Sequence, residues 1–143
     1  MKRLIPAVAI LLGWASTVWA APTTTLTTLN QIHALDNGEG DKGYPVAFDA
    51  TVTYTRWQEY TLFVQDGDAA IFVTYGKDDK LLPGDRVLIK GKTSGSFRPI
   101  VVASEVTLLH HGVLPKPAPA TFDELTSAQF DCKLVMVHAV VHA

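Results

Sequence analysis

Between Val46 and Tyr54 every second residue is apolar. Val46, Phe48, Ala50, Val52 and Tyr54 fall on one side, and Ala47, Asp49, Thr51 and Thr53 on the other. A period of two is the period of a pleated strand with one buried face, and no helix can place those residues together. Further short apolar runs follow, each bounded by turn chemistry. Tyr60 to Gln65 and Ala70 to Tyr75 flank Asp66-Gly67-Asp68, a hairpin signature. Pro83-Gly84-Asp85 leads into Arg86 to Gly91, and a Gly/Ser-rich loop, Lys92 to Pro99, leads into Ile100 to Leu109. Five short strands with no long helical span predict an all-β domain, a small five-stranded barrel or sandwich.

Ahead of the strands, Thr28 is placed to cap a short helix from Leu29 to Leu35, with Leu29, Ile32 and Leu35 on one face. Asp36 to Gly43 reads as a turn-rich loop. The first twenty residues are different in kind. Lys2 and Arg3 precede an apolar stretch, Leu4 to Val18, and Val18-Trp19-Ala20 offers a small residue at a cleavage position. This is the layout of a secretory signal cut after Ala20, and the apolar run is short for crossing a hydrocarbon core of about 30 Å. The expected location is the periplasm or the exterior, with no membrane span in the mature chain.

Cleavage would remove two cations and no acid, taking the formal net charge from −2 to −4. An acidic surface repels phosphate backbones, so nucleic acid is not an expected partner. With 48% hydrophobic and 18% charged residues the chain can bury a core. Cys132 is the only cysteine, which rules out an internal disulfide, and its position before an apolar run favours burial.

Leu114-Pro-Lys-Pro-Ala-Pro119 is a stiff, extended linker. After it the head of the domain recurs. Thr121-Phe-Asp-Glu-Leu125 copies Thr28-Leu-Asn-Gln-Ile32, and Val135, Val137, Ala139 and Val141 copy Val46, Phe48, Ala50 and Val52, with Ala139 standing 89 residues beyond Ala50. The copy stops after one strand, so a truncated second repeat is expected. The alternative is a sixth strand of the first barrel. The organisation expected is a signal peptide (1–20), leader, helix and loop (21–43), barrel (44–112), linker (113–120) and the start of a second repeat (121–143).

Pro45-Val46, Val52-Thr53-Tyr54, Leu62-Phe63-Val64-Gln65-Asp66 and Ile71-Phe72-Val73, with Leu82-Pro83-Gly84-Asp85-Arg86-Val87, Gly91 and Phe97-x-Pro99-Ile100-Val101, form a distinctive series. It resembles the OB-fold-like domains found in tandem outside the cytoplasm in bacterial membrane sensors, N-terminal to histidine kinases or diguanylate cyclases. The resemblance spans about residues 26 to 143. It implies an OB-type barrel, tandem copies and a sensory or partner-binding role, with the missing C-terminal part of the same sensor as one partner. The sequence departs from that pattern in carrying Ala50 where a small Gly is usual, and in lacking a membrane segment and output domain.

No nucleophile–base pattern of a hydrolase, no Walker loop and no His-Glu-x-x-His occurs, so no enzyme is expected. No metal or other cofactor is expected either. His110 and His111 would face opposite ways in a strand, His138 and His142 would sit about 13 Å apart, and His33 is isolated. Asp36, Glu39 and Asp41 lack the spacing of a calcium loop. OB barrels bind on one face and on the loops joining strands 1–2 and 4–5. Those loops carry Arg56, Trp57 and Tyr60, then Phe97 and Arg98, an aromatic–arginine set suited to stacking on rings. Trp57 and Phe97 can equally be read as core residues closing the barrel ends. The expected ligand is an unknown small molecule or an envelope protein. A stand-alone periplasmic OB protein binding an oligosaccharide, small ligand or protein is the alternative, and single-stranded nucleic-acid binding a distant third.

Overall fold

The structure is a computed structural model, and it describes residues 24–76 and 80–140. The expected signal peptide and His142 lie outside the described residues.

Two short helices precede the sheet. Helix α1 (Leu29–His33) carries a capping box: the Gln31 N–H donates to Thr28 Oγ1 at 3.3 Å, and Gln31 Oε1 accepts the Thr28 N–H at 3.2 Å. Its apolar positions, Leu29 and Ile32, join the barrel core. Helix α2 (Asn37–Gly40) is a single turn capped by Asp36, where the sequence suggested only a loop. Asp36, the N-cap, accepts the Glu39 N–H at 2.8 Å, which is what an Asx side chain does at an N-terminus.

Five strands follow: β1 (Pro45–Arg56), β2 (Thr61–Asp66), β3 (Ala69–Thr74), β4 (Arg86–Ser94) and β5 (Ile100–His110). They close into a barrel in the order β1-β2-β3-β5-β4. Closure depends on β1, which pairs antiparallel with β4 through Pro45–Thr51 and with β2 through Thr51–Arg56. A bulge between Val52 and Tyr54 turns the strand from one partner to the other. The extra residue shifts the side-chain phase by one. Val52 and Thr53 are therefore both buried, and Tyr54, expected on the core face with Val46 to Val52, lies outside at 50% exposure.

The interior is filled by aliphatic side chains, among them Val52, Leu62, Val64, Val73, Val87, Ile89 and Val101, all at or near zero exposure. Where β4 and β5 cross, Gly91 lets the backbones meet, since a Cβ there would sit 2.7 Å from the Ala103 Cα. On the outside, Arg86 bridges Asp49 at 2.8 Å and Asp66 at 2.9 Å, tying β4 to β1 and to the end of β2.

Beyond the barrel, β6 (Ala118–Pro119) pairs in parallel with β7 (Val135–Met136), and helix α3 (Phe122–Thr126) lies between them. The proline-rich stretch thus ends in a strand. The arrangement repeats the head of the chain, where Leu26 bridges Val46 in parallel and α1 lies between. Thr121 and Glu124 form the same capping box as Thr28 and Gln31. Residues 135–136 do not join the barrel, so they are no sixth strand of it. Among the described residues pairing ends at Met136, short of the alternation expected through Val141. Cys132 is half-buried, not fully buried as expected.

Candidate binding face of the barrel

The barrel interior is packed with aliphatic side chains, and the candidate site lies on the outside. On β2 and β3 the alternation that sends Leu62, Val64, Ile71 and Val73 inward sends Phe63 and Phe72 outward. The bulge adds Tyr54 to the same side. Tyr54 pairs with Phe63, and Phe63 with Phe72, in the strand register. The ring centroids stand 6.0 Å and 5.3 Å apart, tilted by 57° and 69°. These are the spacings of attractive aromatic pairs. A row of three rings thus crosses three strands.

The β1–β2 loop is a 3₁₀ turn over Trp57–Glu59, closed by Tyr60 in the left-handed region (φ 52°). Trp57 is 61% exposed. The Arg56 guanidinium donates to Glu59 at 2.7 Å within its own loop. Glu59, and after it the Tyr54 hydroxyl, hold the Arg56 pKa above the ordinary arginine value. Tyr60 stands edge-on to Tyr75, centroids 6.4 Å apart.

The β4–β5 loop is positioned from behind by α2 and the residue after it. Asn37 Nδ2 donates to the Phe97 carbonyl at 3.1 Å, and the Gly95 N–H donates to Asp41 Oδ1 at 3.2 Å. These bonds present Phe97 at 79% exposure. With Trp57 and Phe97 both this exposed, neither is a core residue closing a barrel end. Arg98 is engaged by the segment beyond the linker. Its Nη2 donates to the Ala128 carbonyl at 3.0 Å, and its Nε lies 3.9 Å from Asp131.

Between this loop and the outer side of β2–β3 is a cavity of about 220 Å³, lined by Phe63, Phe72, Phe97, Arg98, His33 and Cys132 among others. His33 Nε2 meets the Ala70 carbonyl at 2.9 Å. The Cys132 thiol is pushed up to about 12, by burial first and by Asp131 next. The shift favours the neutral thiol in the cavity wall.

Of the residues expected to bind, Phe97 and Arg98 line the cavity, whereas Arg56, Trp57 and Tyr60 do not. Tyr54, Phe63 and Phe72 are not among the residues expected to bind. In the sequence, only the phase of Phe63 and Phe72 against Leu62 and Ile71 marks them as outward. Among the described residues no group of three or more His, Cys, Asp or Glu side chains is placed to hold a metal.

No family model matches the chain, and no curated protein matches it. Solved structures do. Aspartyl-tRNA synthetase from Entamoeba histolytica is similar at TM-score 0.50 and 12% identity, over 64% of this chain and 22% of that one. The hypothetical protein ygiW from E. coli is similar at TM-score 0.49 and 14% identity, over 66% of this chain and 100% of that one. The telomere capping protein Ten1 from Saccharomyces pombe is similar at TM-score 0.45 and 17% identity, over 59% and 78%. At such identities the likeness is one of fold alone. Strand order, the shared first strand and the synthetase likeness agree: the chain folds as an OB-type five-stranded barrel.

Proposed function

We propose that the chain is an extracytoplasmic binding module that takes its ligand or partner on the outer face of β1–β3, with Phe97 at the rim. The observation carrying this is the in-register row Tyr54–Phe63–Phe72 running to the cavity beside Phe97 and Arg98. On the outer side of a rigid sheet Tyr54 is half exposed and Phe63 and Phe72 are only partly buried, and on this fold that face is the one used for recognition. The placement outside the cytoplasm rests on Lys2, Arg3 and the apolar stretch after them. No helix among the described residues is long and apolar enough to cross a membrane. The repeated arrangement at residues 118–136 supports a place in a tandem array such as a membrane sensor carries.

A screen of the mature chain against peptides, oligosaccharides and single-stranded oligonucleotides tests the binding face. Phe72→Ala should weaken a ligand found this way about tenfold or more, as loss of a stacking ring does. A ligand indifferent to both Phe63→Ala and Phe72→Ala would sink the assignment. N-terminal sequencing of the exported protein should begin at Ala21, and an intact Met1 terminus on cytoplasmic protein would remove the extracytoplasmic part.

One observation favours a second reading. Three rings plus exposed Trp57 and Phe97 also make a stacking platform for single-stranded nucleic acid. Affinity for an oligonucleotide that falls steeply with salt would identify it.

A further inference from the structure

Strand β3 pairs with β5 only at Val73 and Thr74. Its first half, Ala69 to Phe72, has no β5 partner; there His33 Nε2 meets the Ala70 carbonyl at 2.9 Å, and among the described residues no strand pairs on that side. An unpaired edge invites another chain. Here Asp131 and Cys132 line the same cavity as Ala70, Ile71 and Phe72, and residues 128–134 are bonded to the flanking Gln65 and Arg98. Gln65 Oε1 accepts the Leu134 N–H at 3.1 Å, and Arg98 donates to the Ala128 carbonyl at 3.0 Å. The segment is strained in this seat. Ala128 (φ 56°) and Cys132 (φ 62°) are both left-handed without being glycine. Such backbone persists only while its surroundings enforce it.

We propose that the outer face of β2–β3 is a peptide-binding site, and that residues 128–134 are its resident occupant, displaceable by an extended segment of another protein. The inference rests on the binding face proposed above and gives its ligand a class. Gln65 and Arg98 read an N–H and a carbonyl, groups every peptide carries. The stretch of β3 without a β5 partner adds main-chain hydrogen bonding, the mode by which sheets capture extended peptides. The occupant is attached to helix α3 and strand β7, so displacing it moves the unit that begins at Thr121. A peptide on the first barrel is thereby communicated along the chain.

The test uses the full chain with Leu134→Pro, which removes the N–H that Gln65 accepts. Two readouts are alkylation of Cys132 by iodoacetamide under native conditions and binding of a fluorescent synthetic peptide spanning residues 126–137. Alkylation is expected to speed up about tenfold once the thiol leaves its half-buried seat. The peptide is expected to bind this variant about tenfold tighter than wild type, and adding Gln65→Ala should cancel the gain. Unchanged alkylation overturns the displaceable occupant. Faster alkylation without peptide binding overturns the peptide class. In that case an oligonucleotide or oligosaccharide that binds, and loses affinity with Phe72→Ala, would leave the binding face standing. Should Leu134→Pro not fold, Arg98→Ala replaces it, with alkylation expected to rise about threefold; a rate equal to wild type overturns the proposal.

Discussion

Gln65 and Leu134 lie 69 residues apart in the chain, and the side-chain oxygen of the first accepts the backbone N–H of the second at 3.1 Å. The same side chain donates to the Gly67 carbonyl at 2.9 Å, so one buried amide secures both the β2–β3 hairpin and the segment laid across it. Gln65→Leu keeps the bulk and removes both bonds. It should lower the unfolding free energy by about 1–3 kcal/mol, because the Leu134 N–H loses its protein partner. Urea denaturation measures this, and a variant as stable as wild type would mean that the bond contributes nothing.

Gly91 and Gly67 separate two reasons for keeping glycine. At Gly91 an added methyl would fall on the Val102 carbonyl and the Ala103 backbone, across a strand crossing that cannot widen without opening the barrel. Gly91→Ala should cost about 1–3 kcal/mol or more through overpacking. At Gly67 there is open space and the cost is conformational only, since φ is +57°. Gly67→Ala should cost about 1–2 kcal/mol for a left-handed alanine. Gly67→Asn, which tolerates that region, should recover part of it. At Gly91 no side chain should, and recovery there by any residue would contradict the steric account.

The barrel was legible because its strands obey a period of two and are separated by glycine and proline turns. Strand edges from Tyr60 to Leu109 fell within a few residues of those expected. The face of Tyr54 was not legible. The Val52/Tyr54 bulge arises from β1 having to serve two partners, β4 and then β2, and that demand exists only in the closed barrel. The candidate site was half legible for the same reason. Loops 1–2 and 4–5 were anticipated, but the aromatic row needs both the bulge and the cross-strand register. Arg98 is a binding candidate by its loop, but its partners, Ala128 and Asp131, stand 30 and 33 positions away and follow no local pattern. Cys132 precedes an apolar run, which favours burial, and as part of a cavity wall it is half-buried.

Asp85 should give the fold part of its acid sensitivity. Burial alone would raise its pKa, but the Leu82 N–H at 2.8 Å and the His111 ring at 2.7 Å outweigh burial and hold it below the ordinary carboxylate value. A carboxyl depressed in the folded state stabilises fully above its unfolded pKa, about 3.9, and that contribution is lost as pH falls through the lower folded value. Asp85→Asn cannot ionise, so its stability should fall less steeply than that of wild type below about pH 4. Equal acid limbs for the two proteins, followed by circular dichroism, would assign the sensitivity to other carboxylates.

The two capping boxes offer a matched pair for asking what the segment after the linker contributes. Thr28 and Thr121 make the same bonds, to Gln31 and to Glu124. The helices they start differ in what lies beneath. Leu29 and Ile32 of α1 are buried in the barrel core, while Phe122 of α3 is 78% exposed. Losing a threonine cap costs a helix about 1 kcal/mol wherever it sits. That loss reaches global stability only if the helix unfolds together with the core. Thr28→Ala should therefore lower the unfolding free energy of the barrel by about 1 kcal/mol, and Thr121→Ala should leave it within about 0.3 kcal/mol of wild type. Hydrogen exchange completes the comparison. Thr121→Ala should speed exchange at residues 124–128 while β1 to β5 keep their protection. A barrel destabilised as much by Thr121→Ala as by Thr28→Ala would show that residues 118–136 fold as one cooperative unit with it.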